Sequence, residues 1–228
     1  MTTRAVLFDV GGPLATEVEH ECAIDADIRS LLAEARMPVN DARYAEVWRS
    51  VVDSFAPNAY EAVIWQLAEG DEEIAPAVYR EVARRSHERG SFQLREGIPE
   101  LLAELSERGL RLGLAANQPA EVIVRLEEHG IAKYFDATAV SGTHGYRKPD
   151  ARVFLHACEA LGVAPEACIM VGDRIDCDIA PARALGMRAL RLRSGRHANQ
   201  EPRTWHERPD AEAADVPGMR AAILALLA

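Results

Sequence analysis

Apolar residues follow two different rhythms along this 228-residue chain. A short unbroken run, Arg4-Ala-Val-Leu-Phe-Asp-Val, stops at Gly11-Gly12-Pro13, so it predicts a buried strand ended by breakers. From about Cys22 to Gly90 the spacing becomes three and four. Ile24, Ile28, Leu31 and Leu32 make one face; Tyr44, Val47, Trp48 and Val51 a second; Val63, Ile64 and Leu67 a third; Ile74, Val78 and Val82 a fourth. Breaks at Met37-Pro38, Pro57-Asn58 and Gly70-Asp71 divide this stretch into about four helices, a small bundle without strands.

Beyond Gly90 strands and helices alternate. Gly97-Ile-Pro opens a helix with proline in its first turn, and Leu101, Leu102 and Leu105 continue one face. Strands are expected at Leu110 to Ala116, Ala137 to Val140, Cys168 to Val171 and Met187 to Leu192. Helices are expected at Pro119 to His129, Asp150 to Leu161 with Gly162 past its end, Ile179 to Leu185 and Gly218 to Ala228. Such alternation implies βαβ units, hence an α/β fold with a doubly wound, Rossmann-like parallel sheet. The expected division is a core of residues 1–15 and 92–228 with a helical insert at 16–91. Ligands of such sheets bind beyond the carboxyl ends of the strands. The informative segments are therefore Asp9-Val-Gly-Gly, Ala116-Asn117-Gln118, Ser141 to Lys148 and Gly172-Asp173, four stretches converging on one pocket.

Composition narrows the partners. Lysine and arginine number 26 against 36 acids, a net charge of −10, which argues against a nucleic-acid binder. A small phosphate needs only one local positive site and stays allowed. No apolar run reaches the ~18–20 residues of a bilayer span, and Asp9 interrupts the first run too early for a signal-peptide core. A cytoplasmic protein without membrane contact is expected. Cys22, Cys158, Cys168 and Cys177 form no zinc or C-x-x-C pattern and are expected to be buried free thiols.

The chemistry sits at the strand ends. A carboxylate at Asp9 acts as a nucleophile, binds a metal, or simply ends its strand by bonding its own turn. Gly172-Asp173-Arg-Ile-Asp176-Cys-Asp178 puts three more acids in one turn, with Asp176 or Asp178 the candidate helix N-cap. Several carboxylates in one crevice repel unless protonated or neutralised. A divalent cation assisted by Lys148 is the economical remedy, and magnesium suits an all-oxygen site. Lysine alone is most often a solvated surface charge. Its place after a strand of the same sheet favours a phosphate-holding role.

Phe-Asp-Val-Gly-Gly at 8–12, Leu-Ala-Ala-Asn at 114–117, Arg-Lys-Pro-Asp at 147–150 and Val-Gly-Asp-x4-Asp at 171–178 together resemble the four motifs of the haloacid dehalogenase (HAD) superfamily. The resemblance runs over essentially the whole chain, and the helical insert resembles that family's cap, which closes over the site and chooses the substrate. It implies a hydrolase, a magnesium-dependent phosphatase of a small phosphorylated metabolite, with Asp9 as the nucleophile that forms an aspartyl-phosphate. It implies magnesium ligation by Asp9, the Gly11 carbonyl and Asp173, with Asp178 in support, and phosphate contacts from Lys148 and the segment Ala116-Asn117.

Two positions depart from the family pattern. Gly11 stands where phosphatases carry a second aspartate that protonates the leaving group, and Ala116 stands where they carry a serine or threonine hydroxyl. Groups available to substitute are Thr143, His144, Asn117, Gln118, His20, Glu17 and Glu19, while Arg147 and Arg174 flank the expected pocket. These departures motivate a second reading, a catalytically silent relative that binds the ion and an anion. Haloacid dehalogenase chemistry on carbon is a more distant third. Monomer and homodimer are both compatible with the sequence.

Overall fold

The computed structural model describes residues 3–89 and 92–227. Two compact units emerge, Met1–Thr16 with Phe92–Ala228, and Glu17–Ser91. Gly90, Ser91 and Ala228, which the sequence assigns to the end of the helical stretch and of the last helix, lie outside the described residues.

The first unit is built on strands β1 (Ala5–Phe8), β4 (Arg111–Ala116), β5 (Ala137–Val140), β6 (Cys168–Gly172), β7 (Arg188–Leu192) and β8 (Ala211–Ala213). A two-stranded antiparallel ribbon, β2 (Ala15–Thr16) with β3 (Gln93–Leu94), stands where the chain leaves and re-enters this unit. The six core strands pair in the order β5-β4-β1-β6-β7-β8, every pair parallel. Numbered along the core this is 3-2-1-4-5-6, the doubly wound order, which reverses direction between β1 and β6.

Because strand side chains alternate between faces, each strand feeds two cores. Val6, Phe8, Leu112, Leu114, Ile169 and Val171 pack with helices α5 (Ile98–Glu107), α6 (Val122–Glu128) and α10 (Val216–Leu227). Ala5, Leu7, Ala115, Cys168 and Met170 pack on the opposite face with α8 (Ala151–Leu161) and α9 (Ala180–Ala184). Burial on both faces explains why these strands read as continuous apolar runs. α8 starts at its N-cap Asp150, whose carboxylate accepts from Arg152 N–H, and ends at Gly162 with φ +63. A four-residue helix, α7 (Ser141–His144), follows β5.

The second unit holds α1 (Val18–Glu34), α2 (Asp41–Asp53), α3 (Ala59–Leu67) and α4 (Ile74–Arg89) around its own core, including Ile28, Leu32, Val47, Val51, Val63 and Ile64. Asn40 and Asn58 cap α2 and α3 by accepting from Arg43 and Glu61 N–H. Among the described residues no helix is long and apolar enough to cross a membrane.

Four local expectations are corrected. Cys22 is exposed, since α1 buries the face of Ile24, Ile28 and Leu32 and Cys22 sits two residues, over half a turn, from it. Trp65, which with Tyr44 and Trp48 is expected as core on the periodic apolar faces of the helical stretch, is exposed, off the Val63, Ile64 and Leu67 face of α3, whereas Tyr44 and Trp48 are buried. α6 begins at Val122 rather than Pro119 because its first turn closes on three-residue bonds, Val122 N to Pro119 O and Ile123 N to Ala120 O. The turn after β6 is a π-helix, Ile175–Ile179, that neither Asp176 nor Asp178 N-caps.

Candidate active site

Asp9 follows β1 and Asp173 follows β6, the two strands that flank the reversal of strand order, so both stand at the switch-point crevice. The β1–β6 register runs Ala5 to Cys168 through Phe8 to Val171, and Asp9 N–H continues it by donating to Val171 O at 2.9 Å. Strand pairing therefore brings two residues 164 positions apart onto one rim.

Glycine makes the close approach possible. Gly12 has φ +82, and a Cβ there would lie 2.8 Å from the Asp173 carboxyl carbon. At Gly172 a Cβ would lie 2.3 Å from Asp178, whose side chain folds back over the strand end. The π turn delivers that fold-back, and Asp178 Oδ2 accepts from Arg174 N–H at 3.0 Å. Asp9, Asp173 and Asp178 each offer an oxygen within 4.8 Å of the others.

Lys148 enters the cluster from the loop after α7. Its Nζ lies 2.6 Å from Asp178 Oδ1 and 3.0 Å from Asp9 Oδ1, with only 3% of the residue exposed. Asn117 fixes that loop: its amide oxygen accepts from Lys148 N–H at 2.7 Å and its amide nitrogen donates to Lys148 O at 2.9 Å. The Asn117 side chain is thus committed to holding the lysine peptide. Ala116, fully buried at the end of β4, supplies no hydroxyl. Gly11 pairs with Ala15 in an isolated bridge.

Burial pushes the Asp9 carboxyl up to about 6; Lys148 opposes this and Asp178 adds to it. Burial also works against the ammonium, but Asp178 and Asp9 outweigh it and hold Lys148 well above the ordinary lysine range. Three carboxylates against one ammonium leave a formal excess of two negative charges when all are ionised. Hard oxygen donors, close together and short of positive charge, fit a divalent cation such as magnesium.

Replacing Lys148 by methionine is expected to destabilise the metal-free protein by about 3–5 kcal/mol, because Asp178 is fully buried and loses its counter-charge. Urea unfolding at pH 7.5 measures this, and a loss below about 1 kcal/mol contradicts the pairing. The deficit shrinks as pH falls toward about 6, because without Lys148 the Asp9 carboxyl takes up its proton at a higher pH than in the parent and the lost Lys148–Asp9 attraction then no longer counts.

Other candidates make contacts of their own. Arg174 forms a two-bond pair with Asp176, at 2.6 and 3.1 Å, and Arg147 is exposed. Thr143 Oγ1 donates to Val140 O, and the His144 ring stacks on Tyr146. His20 belongs to the helical unit, where its Nε2 lies 3.1 Å from Ser86 Oγ and burial holds its pKa below the usual histidine value.

One participant has no trace in the sequence. Arg191, on β7 beside Gly172, is 0% exposed; its Nη2 donates to His197 O at 2.6 Å and its Nε to Asp173 O at 3.3 Å. It pins the backbone of Asp173 from below, and its residue type signals exposure rather than burial.

The switch point of this parallel sheet thus brings three carboxylates and one buried ammonium together. The chain belongs to the haloacid dehalogenase-like hydrolase family, which residues 3–186 match. It is 32% identical to N-acetylmuramic acid 6-phosphate phosphatase of Pseudomonas aeruginosa, over 90% of this chain and 88% of that protein. It is 38% identical to glyceraldehyde 3-phosphate phosphatase of Methanopyrus kandleri, over 50% of this chain and 49% of the relative. The chain spans about half the length of most of the curated relatives it matches. Among solved structures, the HAD-hydrolase YfnB of Bacillus subtilis bound to magnesium shares the fold, with TM-score 0.69 and 20% identity over 100% of this chain and 99% of that one.

Proposed function

We propose that this protein is a magnesium-dependent phosphatase that hydrolyses a small phosphorylated metabolite through an aspartyl-phosphate on Asp9. The observation that carries this reading is the buried Lys148 ammonium between Asp9 and Asp178, beside Asp173. Relatives across the family are named as phosphatases of small phosphoesters, which supports the substrate class. Residues 1–15 and 92–228 would form the catalytic core, and 16–91 a substrate-selecting cap.

Asp9 Oδ1 accepts from Val10 N–H at 2.8 Å and lies 3.0 Å from Lys148 Nζ, which orients the carboxylate and leaves Oδ2 to attack phosphorus. As the Oδ2–P bond forms, the ester P–O bond breaks and its electron pair leaves with the alcohol oxygen. Lys148 offers preorganised positive charge where phosphoryl charge is shared. Water then cleaves the aspartyl-phosphate and regenerates Asp9. Magnesium, held by Asp9, the Gly11 carbonyl, Asp173 and Asp178, would supply further charge neutralisation. Gly11 has no proton to give, so esters with good leaving groups are favoured.

The test is magnesium-dependent release of phosphate from an activated aryl phosphate, abolished by chelator. Rates equal to those of an Asp9→Asn variant would refute the proposal. A pH-dependent binding effect accompanies it. The folded, metal-free chain holds the Asp9 proton up to about pH 6, whereas an ordinary aspartate releases it near 3.8. Metal-free stability therefore falls between about pH 4 and 6 from this group, and above that range the cation meets an ionised ligand. Saturating magnesium is expected to raise Tm by about 5–10 °C at pH 7.5 and by far less at pH 5. Equal shifts at the two pH values, read by differential scanning fluorimetry, would contradict ligation by Asp9.

The silent-relative reading is favoured by one observation, the absence of a hydroxyl or carboxyl at both Ala116 and Gly11. The restoring double variant discussed below separates the two.

A further inference from the structure

Cys158 on α8 and Cys168 at the start of β6 bring their sulfurs to 3.6 Å from one another inside the core. Neither meets solvent: Cys158 is 2% exposed and Cys168 0%. The chain between them leaves α8 at Gly162 and returns through a short 3₁₀ turn, Pro165–Ala167. Cys168 Sγ also lies 3.6 Å from Ala164 O, which ties it to that same turn. Two sulfurs in van der Waals contact must approach by only about 1.5 Å to reach disulfide bonding distance. The other cysteines lack this arrangement. Cys22 is exposed on α1, and Cys177 lies beside Asp176 with its thiol pushed up to about 12 by burial.

We infer that Cys158 and Cys168 form a reversible dithiol–disulfide site whose oxidant is hydrogen peroxide or a similarly small peroxide. Burial selects the oxidant, because a molecule near the size of water enters on slight openings that exclude a bulky disulfide. The sulfur–sulfur contact lowers the Cys158 pKa and raises that of Cys168, which makes Cys158 the attacking sulfur. Its thiolate attacks one peroxide oxygen, the O–O bond breaks, and the departing hydroxide takes a proton to become water, leaving a sulfenic acid on Cys158. Cys168 sulfur then attacks Cys158 sulfur, and the displaced hydroxide leaves as water with the Cys168 proton. Two thiols and one peroxide become one disulfide and two waters. The site is remote from the acid cluster: Cys168 and Asp173 lie at opposite ends of β6, five residues or roughly 16 Å apart along the strand. This inference is independent of the phosphatase reading.

Both cysteines fall in one tryptic peptide, Val153–Arg174, which contains no other cysteine. The full-length protein is treated with hydrogen peroxide, denatured, alkylated and digested. The expected product is that peptide without alkyl groups and about 2 Da lighter, restored to a doubly alkylated peptide by dithiothreitol. The oxidised protein is expected to melt about 5–10 °C higher, since the bond closes a loop of about ten residues. In Cys168→Ala the light peptide and the Tm rise both disappear, while Cys158 oxidises onward to a sulfinic acid. The inference is overturned if Val153–Arg174 stays doubly alkylated under conditions that oxidise the exposed Cys22. It is equally overturned if Cys158 of the unaltered protein accumulates as sulfinic acid.

Discussion

An Asp9→Asn variant is expected to lose hydrolysis of an activated aryl phosphate by a factor on the order of 10⁵–10⁶, the scale of removing a nucleophile from a preorganised site. Asparagine keeps the shape of the side chain but cannot form the aspartyl-phosphate. The fold survives the change. Lys148 retains Asp178 at 2.6 Å, and the variant removes a carboxylate whose burial had already pushed it up to about 6. The metal-free variant should therefore melt at the same temperature as the parent or higher, which separates lost chemistry from lost structure. Measurement pairs steady-state kinetics with thermal unfolding. A variant that hydrolyses the ester as fast as the parent removes the nucleophile from the mechanism.

The opposite change is expected in Gly11→Asp combined with Ala116→Ser, which restores both groups the family pattern leads one to look for. A general acid contributes roughly 10²–10⁴ in rate. A hydroxyl bonded to a charged phosphoryl group is worth about 1.5–3 kcal/mol, or roughly 10- to 150-fold. If the two act independently, the gain is on the order of 10³–10⁶. Backbone conformation does not oppose a side chain at position 11, since Gly11 is not among the glycines of left-handed φ, unlike Gly12. Serine is preferred to threonine at position 116, since that site is fully buried and extra volume is costly. The gain should be largest for alkyl phosphates, whose leaving oxygen needs a proton, and small for aryl phosphates. An equal gain on both ester types assigns the effect to something other than proton donation. Activity appearing only in the double variant identifies the parent as the silent binding relative.

Much of the arrangement follows from chemistry readable along the chain. Glycine and proline at 11–13 end β1, and a carboxylate on its last turn is conspicuous for that reason. The spacing of Ile24, Ile28 and Leu32 marks α1, and the alternation of strands with helices predicts the parallel sheet. Lys148 is identifiable by its loop position, although nothing local says that its ammonium is buried. Asn117 is legible as a candidate, but its two hydrogen bonds to the Lys148 peptide are not, because they require two segments 31 residues apart to meet. Cys22 and Trp65 show the limit of periodicity, which finds an apolar face but does not place its neighbours.

Local sequence determined the strand and helix segments, since backbone preference and side-chain period act within a few residues. It also determined the candidate acids and the absence of a proton donor at Gly11. Tertiary structure alone decided that Arg191 is buried beneath Asp173, that Asp178 folds back over Gly172, and that Cys158 meets Cys168. Each of these depends on which strands become neighbours and how closely their ends approach, and residues far apart in the chain settle that jointly through packing.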